Sequence, residues 1–366
     1  MGFFFFSGQA RLFSLSPLLS APCSFRFHPT LFFSGYVAIV GRPNAGKSTL
    51  LNCLTGAKLA AVSPKAQTTR HRVLGIASTA GYQMVLLDTP GILPDRTGGG
   101  EGGGGGGSGF STGPGARKSG GGPTSAAAAT GPSAALDARM MATVKRAASD
   151  ADVLLGLVDV GSPGVAGAVA EVGARLAAAG KPAALILNKV DRLPGGGGLD
   201  SAAVKGAVAA AAAATGLPVL PMCAADGRGV AEAAAWAAEA LPLGPSLYPR
   251  HLLSSAPARF FVAEIVREKV MALYRDEVPY AATVAVTEYS ERTPPAKDFI
   301  AVTVAVERPR QRAILLGAGG SALKRLGAAA RADVELFLGR PVYLELSIKV
   351  VPGWRRSAAS LEAWGY

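Results

Sequence analysis

The octapeptide Gly41-Arg42-Pro43-Asn44-Ala45-Gly46-Lys47-Ser48 constrains this chain more than any other stretch. It satisfies G-x-x-x-x-G-K-[ST] and runs on into Thr49 and Leu50. An apolar run, residues 36–40, precedes it, and an amphipathic stretch, residues 50–54, follows. Strand, glycine-rich turn and helix together are the setting in which this motif closes backbone N–H groups around phosphate oxygens. Lys47 is then expected at the β- and γ-phosphates, and the Ser48 hydroxyl on Mg²⁺.

Four more apolar runs, 84–87, 153–158, 183–187 and 219–222, alternate with helical patterns. That predicts an α/β fold with a parallel-rich sheet covered on both faces, its ligands lying beyond the carboxyl ends of the strands. The first run leads into Asp88-Thr89-Pro90-Gly91. There a carboxylate can hold Mg²⁺ through water and the Gly91 N–H can sense a γ-phosphate. The run 183–187 leads into Asn188-Lys189-Val190-Asp191. A carboxylate at Asp191 can accept from the N1–H and exocyclic amine of guanine. Adenine offers neither, so the wrong base strands a buried carboxylate and GTP is selected over ATP. Asn188 is expected to tie this loop to the phosphate loop, and the Lys189 stem to cover the base plane. The run 219–222 leads into Cys223-Ala224-Ala225, which resembles the fifth GTPase motif, Ser-Ala-x. The Ala224 N–H is expected at guanine O6; the Cys223 thiol is a poorer donor than the usual hydroxyl and should hold the loop less firmly.

Between the phosphate loop and Asp88 lies Ala66-Gln67-Thr68-Thr69-Arg70-His71-Arg72. Thr69 is the candidate second side-chain ligand of Mg²⁺, with Thr68 the near alternative; His71 is given no role. Ile92 follows Gly91, where Ras-like enzymes carry the glutamine that orients water. An aliphatic side chain cannot do that. Asn44 offers a carbonyl beside the phosphates, as in potassium-dependent GTPases, so K⁺ is a candidate cofactor beside GTP/GDP and Mg²⁺. The candidate catalytic set is Asn44, Lys47, Thr69 and Gly91.

Residues 1–34 contain Arg11 and Arg26 and no acid, and the first acidic residue of the chain is Asp88. Such a segment reads as a transit peptide, for the chloroplast or, alternatively, the mitochondrion. The nucleotide-binding domain is expected over 35–243. It is interrupted at about 97–135 by a stretch dominated by Gly, Ser, Pro and Ala, which cannot offset its ordering entropy and is expected to be disordered. The three cysteines have neither metal nor disulfide spacing. No apolar run is long and clean enough to span a membrane. The net charge of +12 suits a polyanionic partner.

After a turn-rich linker, 244–257, the periodicity predicts a second domain over 258–352 and a tail over 353–366. Phe260, Phe261, Ile265, Val266, Val270 and Leu273 mark one helix face. Residues 282–289 and 300–307 alternate as strands, and in a third strand Val342, Leu344, Leu346, Ile348 and Val350 point inward. Between them, Gly317-Ala318-Gly319-Gly320 separates two helical patterns, giving the order αββααβ. A GxxG turn in that order is how a KH domain clamps four nucleotides of single-stranded RNA, with Lys324, Arg325 and Arg331 just beyond.

These motifs, with Glu264-Ile265-Val266-Arg267-Glu268-Lys269, Glu277-Val278-Pro279 and Leu323-Lys324-Arg325-Leu326-Gly327, resemble the Era family of GTPases over about 35–352. Tyr280, the block 296–300 and the closing Gly365-Tyr366 resemble its plant and algal chloroplast branch. The resemblance implies a P-loop GTPase domain followed by a type II KH domain. It also implies binding near the 3′ end of small-subunit ribosomal RNA, a role in maturing the small ribosomal subunit, and action as a monomer. Bacterial members also associate peripherally with membranes. Ala318 departs from the family, where Lys or Glu is usual. Two other readings stay open: an RNA-binding assembly factor with hydrolysis impaired by the insertion, and a tRNA-modifying potassium-dependent GTPase. The latter needs a cysteine near the C-terminus, and none follows Cys223.

Overall fold

The computed structural model describes residues 31–62, 73–91, 134–195 and 198–364. Residues 1–30 of the expected transit peptide, Thr68, Thr69, His71, Ile92 and nearly all of the glycine-rich insertion lie outside the described residues. The last two residues of the 1–34 segment, Phe33 and Ser34, instead open the first strand, held by the Ser34 N–H donating to the Pro242 carbonyl.

The first unit alternates strands and helices in the order β1 (Phe33–Gly41), α1 (Lys47–Thr55), β2 (Val73–Ser78), β3 (Tyr82–Asp88), α2 (Ala134–Asp150), β4 (Val153–Asp159), α3 (Val165–Ala178), β5 (Ala183–Asn188), α4 (Ala202–Thr215), β6 (Val219–Met222) and α5 (Val230–Glu239). They form a six-stranded sheet ordered β2-β3-β1-β4-β5-β6, parallel except for β2. The continuous apolar runs are explained by burial from both sides: every residue of β3 and β5 is buried. On one face α1 and α5 pack around Leu50, Leu51 and Ala237; on the other α2, α3 and α4 pack around Val144, Val172 and Ala211. The edge strand β2 was not anticipated. It is short, contains Gly75, and pairs antiparallel with β3 after a tight turn at Thr79, whose hydroxyl accepts from the Gly81 and Tyr82 N–H groups.

The second unit runs α6 (Ala258–Leu273), α7 (Val278–Ala281), β7 (Thr283–Ser290), β8 (Asp298–Val306), α8 (Pro309–Leu316), α9 (Ser321–Leu338), β9 (Val342–Val350) and α10 (Ala358–Ala363). Its sheet is β7-β8-β9, with β8 antiparallel to β7 and parallel to β9. Helices α6 and α9 cover one face around Val266, Val304, Leu326 and Val334. The expected αββααβ order is present, with the one-turn α7 inserted before β7 and α10 added in the expected tail. The face of α6 differs in one respect: Leu273 is 41% exposed, and Val262 and Met271 are buried instead. Phe261 belongs to the core of the first unit, so α6 serves both units and has no single apolar stripe.

A candidate nucleotide site and a nucleic-acid groove

The phosphate loop leaves β1 buried and enters α1 through Gly46, whose φ of +102° and close neighbour permit nothing larger: a Cβ there would stand 2.2 Å from Asn188 Nδ2. Asn188 occupies that space because Nδ2 donates to the Ala45 carbonyl at 2.7 Å, the expected tie between base loop and phosphate loop. Lys47 is buried, and Nζ donates to the carbonyls of Gly41 at 3.1 Å and Arg42 at 3.0 Å. Burial pulls its pKa down to about 8, against the upward pull of the Asp88 carboxylate. A cavity of 550 Å³ opens above the loop, lined by the stretch from Arg42 to Thr49 and by Gly91, Asp159, Lys189 and Arg192. A buried ammonium at its floor and a helix N-terminus aimed into it fit a polyphosphate.

Ser48 Oγ donates to Asp88 Oδ2 at 2.8 Å, so the two side chains expected around Mg²⁺ meet. Thr89 plays a structural part. Its buried hydroxyl donates to the Ile39 carbonyl at 2.7 Å, fixing the end of β3 beside β1. Gly91 lies against the phosphate loop, where a Cβ would meet the Pro43 backbone at 2.7 Å. Asn44 is left-handed, φ +62°, with an exposed side chain at the cavity. Its main-chain carbonyl accepts from Lys189 Nζ at 2.6 Å, which leaves the side-chain carbonyl as the K⁺ candidate.

The base loop is tied to Asn188 as well. The Ala224 N–H, expected at guanine O6, donates to Asn188 Oδ1 at 3.0 Å, because Asn188 bridges both loops and uses its oxygen on this one. Cys223 is buried beside Asp191, with Sγ donating to Oδ1 at 3.1 Å, and burial followed by that carboxylate pushes its thiol pKa up. A second thiol, Cys53 on α1, donates to the Ala224 carbonyl at 3.1 Å, and Ala225 is exposed next to it. Asp159 was missed by sequence reasoning. It accepts from Lys189 Nζ at 2.7 Å and Arg192 Nη1 at 3.3 Å. Its signal was its place: it ends β4 as Asp88 ends β3.

The second site lies beside the GxxG turn. Gly317, Gly319 and Gly320 have φ of +72°, +57° and +79°, which side chains rarely adopt, so α8 and α9 can meet closely only through glycines. A groove of 510 Å³ runs between α9 and β9, walled by Gly320, Lys324, Gly327, Arg331, Leu344 and Leu346. Lys324 and Arg331 therefore flank a groove whose floor is aliphatic. Arg325 does not line it. Leu344 and Leu346, expected in the core, are only half-buried because the groove opens beside them.

Two family models match the chain: one described as a 50S ribosome-binding GTPase over residues 36–189, the other as a KH domain over 277–355. The chloroplastic ERA-like GTPase of Oryza sativa subsp. japonica is 39% identical over 334 residues, 91% of this chain and 69% of that protein. GTPase Era of Geobacter metallireducens is 35% identical over 339 residues, 92% of this chain and 98% of that protein. The chain belongs to the Era family of GTPases. Era of Aquifex aeolicus bound to GDP and AlF4⁻ is similar in structure, with a TM-score of 0.75 and 33% identity over 92% of this chain and 99% of that one. The same values hold for Era in complex with MgGDPNP and nucleotides 1506–1542 of 16S ribosomal RNA.

The Era signature over 264–269 is spent on ion pairs. Glu264 and Arg267 pair with each other, both buried within α6. Glu268 meets Lys58 of the first unit at 3.1 Å, and Lys269 meets Asp333 of α9 at 2.7 Å. Lys58 also reaches Asp333, at 3.2 Å. Burial alone would raise the Asp333 pKa, but the two lysines bring it below its ordinary value. On another side Leu136 and Met140 of α2 form an apolar cluster with Trp354 and Leu361, and Trp354 Nε1 donates to the Ala281 carbonyl at 2.9 Å. Between the units, the Leu253 carbonyl accepts from the Ile76 N–H at 2.8 Å and the Ser254 hydroxyl donates to the Leu74 carbonyl.

Proposed function

We propose that this chain is a GTP-hydrolysing switch of the chloroplast that binds small-subunit ribosomal RNA through its KH unit and assists maturation of the small ribosomal subunit. The observation that carries the proposal is the pairing of two sites in one chain. One is a buried lysine at a phosphate-sized cavity; the other is a glycine-walled groove flanked by cations; and Lys58 connects the helices that start at each. The Oryza relative is named chloroplastic and the similar Era structure holds ribosomal RNA, which supports the compartment and the partner.

In this reading residues 41–49 cradle the phosphates, and Lys47 holds charge on the β- and γ-oxygens. Asp191 reads guanine, with Asn188 and Cys223 fixing its loop. Ser48, Asp88 and Thr69 would hold Mg²⁺, which supplies charge neutralisation across the phosphates. Asn44 would contribute its carbonyl to a K⁺ ion acting as an arginine finger does elsewhere. Thr69 and Gly91 respond to the γ-phosphate, and the change reaches the RNA groove through the contacts of Lys58 and Trp354. In the groove, Gly317–Gly320 admit the RNA backbone, Leu344 and Leu346 contact bases, and Lys324 and Arg331 hold phosphates.

The test is GTP turnover by residues 31–366, which keep all of β1, in KCl and in NaCl, with and without the 3′ segment of small-subunit ribosomal RNA. Turnover that needs K⁺ and changes with RNA is expected. RNA binding without turnover in either salt would replace the switch with a non-hydrolysing assembly factor. In a companion assay, Gly327→Leu should fill the groove opposite Leu346, whose side chain would lie 3.5 Å from even a Cβ at this position, and abolish binding of an RNA tetranucleotide without changing nucleotide affinity.

A further inference from the structure

From Arg308 to Ala332 the chain contains six basic residues and no acidic one. All six are exposed: Arg308, Arg310 and Arg312 at the start of and on α8, and Lys324, Arg325 and Arg331 on α9. Elsewhere in the same unit four cations are paired internally, Arg267 with Glu264, Lys269 with Asp333, Arg340 with Asp298 and Arg355 with Glu307, and the exposed ones, such as Arg259, Arg275 and Lys349, are scattered singly along the chain. The groove takes only two of the six, Lys324 and Arg331. Arg325 lies outside that lining. It acts on Tyr274, whose phenol is raised by burial and lowered by this charge, and the Tyr274 hydroxyl donates to the Leu315 carbonyl of α8 at 3.0 Å. Gln311 and Leu315 anchor the inner side of α8, leaving its arginines outward.

We propose that Arg308, Arg310, Arg312 and Arg325 form a second phosphate-binding surface, which holds the RNA backbone outside the four-nucleotide groove. This rests on the KH unit binding RNA. Four cations that no carboxylate among the described residues neutralises, continuous with the GxxG turn, complement a polyphosphate strand leaving the groove. They are exposed and lie outside the groove lining, so they add affinity and salt dependence without sequence preference. Ile314 and Leu316, 43% and 37% exposed on α8, give a lipid surface as the rival occupant.

The experiment uses the full chain, an RNA tetranucleotide that fills the groove, and the same tetranucleotide within longer RNAs carrying a single-stranded or a duplex flank. The variant R308Q/R310Q/R312Q should bind the tetranucleotide as the parent does, bind at least one longer RNA about tenfold more weakly, and lower the slope of log K against log salt by about 2. R308K/R310K/R312K should restore the slope, since it keeps the charges. G327L tests the groove separately: it should abolish tetranucleotide binding while the salt slope on the longer RNA keeps its dependence on the three arginines. Equal losses on short and long RNA, or an unchanged slope, would overturn the surface. So would loss of binding to anionic phospholipid vesicles with RNA binding intact.

Discussion

Lys58 Nζ stands 3.2 Å from Asp333 Oδ2, joining the segment just past the C-terminus of α1 to α9. One helix begins at the phosphate loop and the other at the GxxG turn. As isolated surface pairs these contacts are worth roughly 0–1 kcal/mol. Their position matters more than their strength. Lys58→Met should bring the ratio of RNA affinities measured with GDPNP and with GDP toward one, from a wild-type ratio of roughly 5–150. GDP affinity without RNA should stay as it was. Isothermal titration of the 3′ ribosomal RNA segment in both nucleotide states decides this, and an unchanged ratio would assign the coupling elsewhere.

The buried Lys47 makes nucleotide binding depend on pH. Its pKa is about 8 in the nucleotide-free protein, and a polyphosphate would raise it. Binding above pH 8 therefore takes up a proton, and GDP affinity should fall with rising pH by up to about one log unit per pH unit. Folding stability of the nucleotide-free protein moves the other way. Between about 8 and the ordinary lysine value of 10.5 the unfolded chain binds more protons, so this group's contribution to stability rises with pH. Fluorescent-GDP titrations from pH 7 to 9.5, beside a Lys47→Met control without the dependence, check the sign.

Cys223 supplies the thiol that holds Asp191. Cys223→Ser replaces a weak donor with a stronger one and should slow GDP release, whereas Cys223→Ala should speed it. Each change corresponds to roughly 0.5–1.5 kcal/mol, or about 2- to 13-fold. Stopped-flow dissociation of fluorescent GDP measures both, and ATP should remain a poor competitor in each variant.

Trp354 fills the contact between α2 and the end of the second unit, and it is fully buried. Trp354→Ala removes that volume and the bond to Ala281, at a cost of roughly 3–5 kcal/mol. Urea denaturation should show the loss. Hydrogen exchange should show faster opening of α2 in the variant, while α4, which lies away from the cluster, keeps its protection.

Much of this molecule is written in short local patterns. The phosphate loop, the Asp88 and Asn188 motifs and the GxxG turn each depend on residues adjacent in sequence, so their elements could be read from spacing. What escaped has a different cause. β2 is set by pairing with β3 after a turn at Thr79, a tertiary demand its own residues barely show. The two-sided role of α6 puts Phe261 in the core of the first unit and leaves Leu273 exposed, blurring one stripe into two. The bond from the Ala224 N–H to Asn188 joins residues 36 apart in sequence, a pairing no local pattern shows. Leu344 and Leu346 read as core since alternation marks the inward direction but does not tell whether a helix or a groove lies there.

The bonds from Leu253 and Ser254 to β2 bear on how the protein is made. A ribosome releases β2 long before residue 254, so the nascent first unit carries an unguarded sheet edge until the linker follows. Edges of that kind recruit other strands. The linker thus acts as a built-in chaperone for its own sheet, and fragments ending near residue 243 should aggregate where those extended past residue 254 remain dispersed.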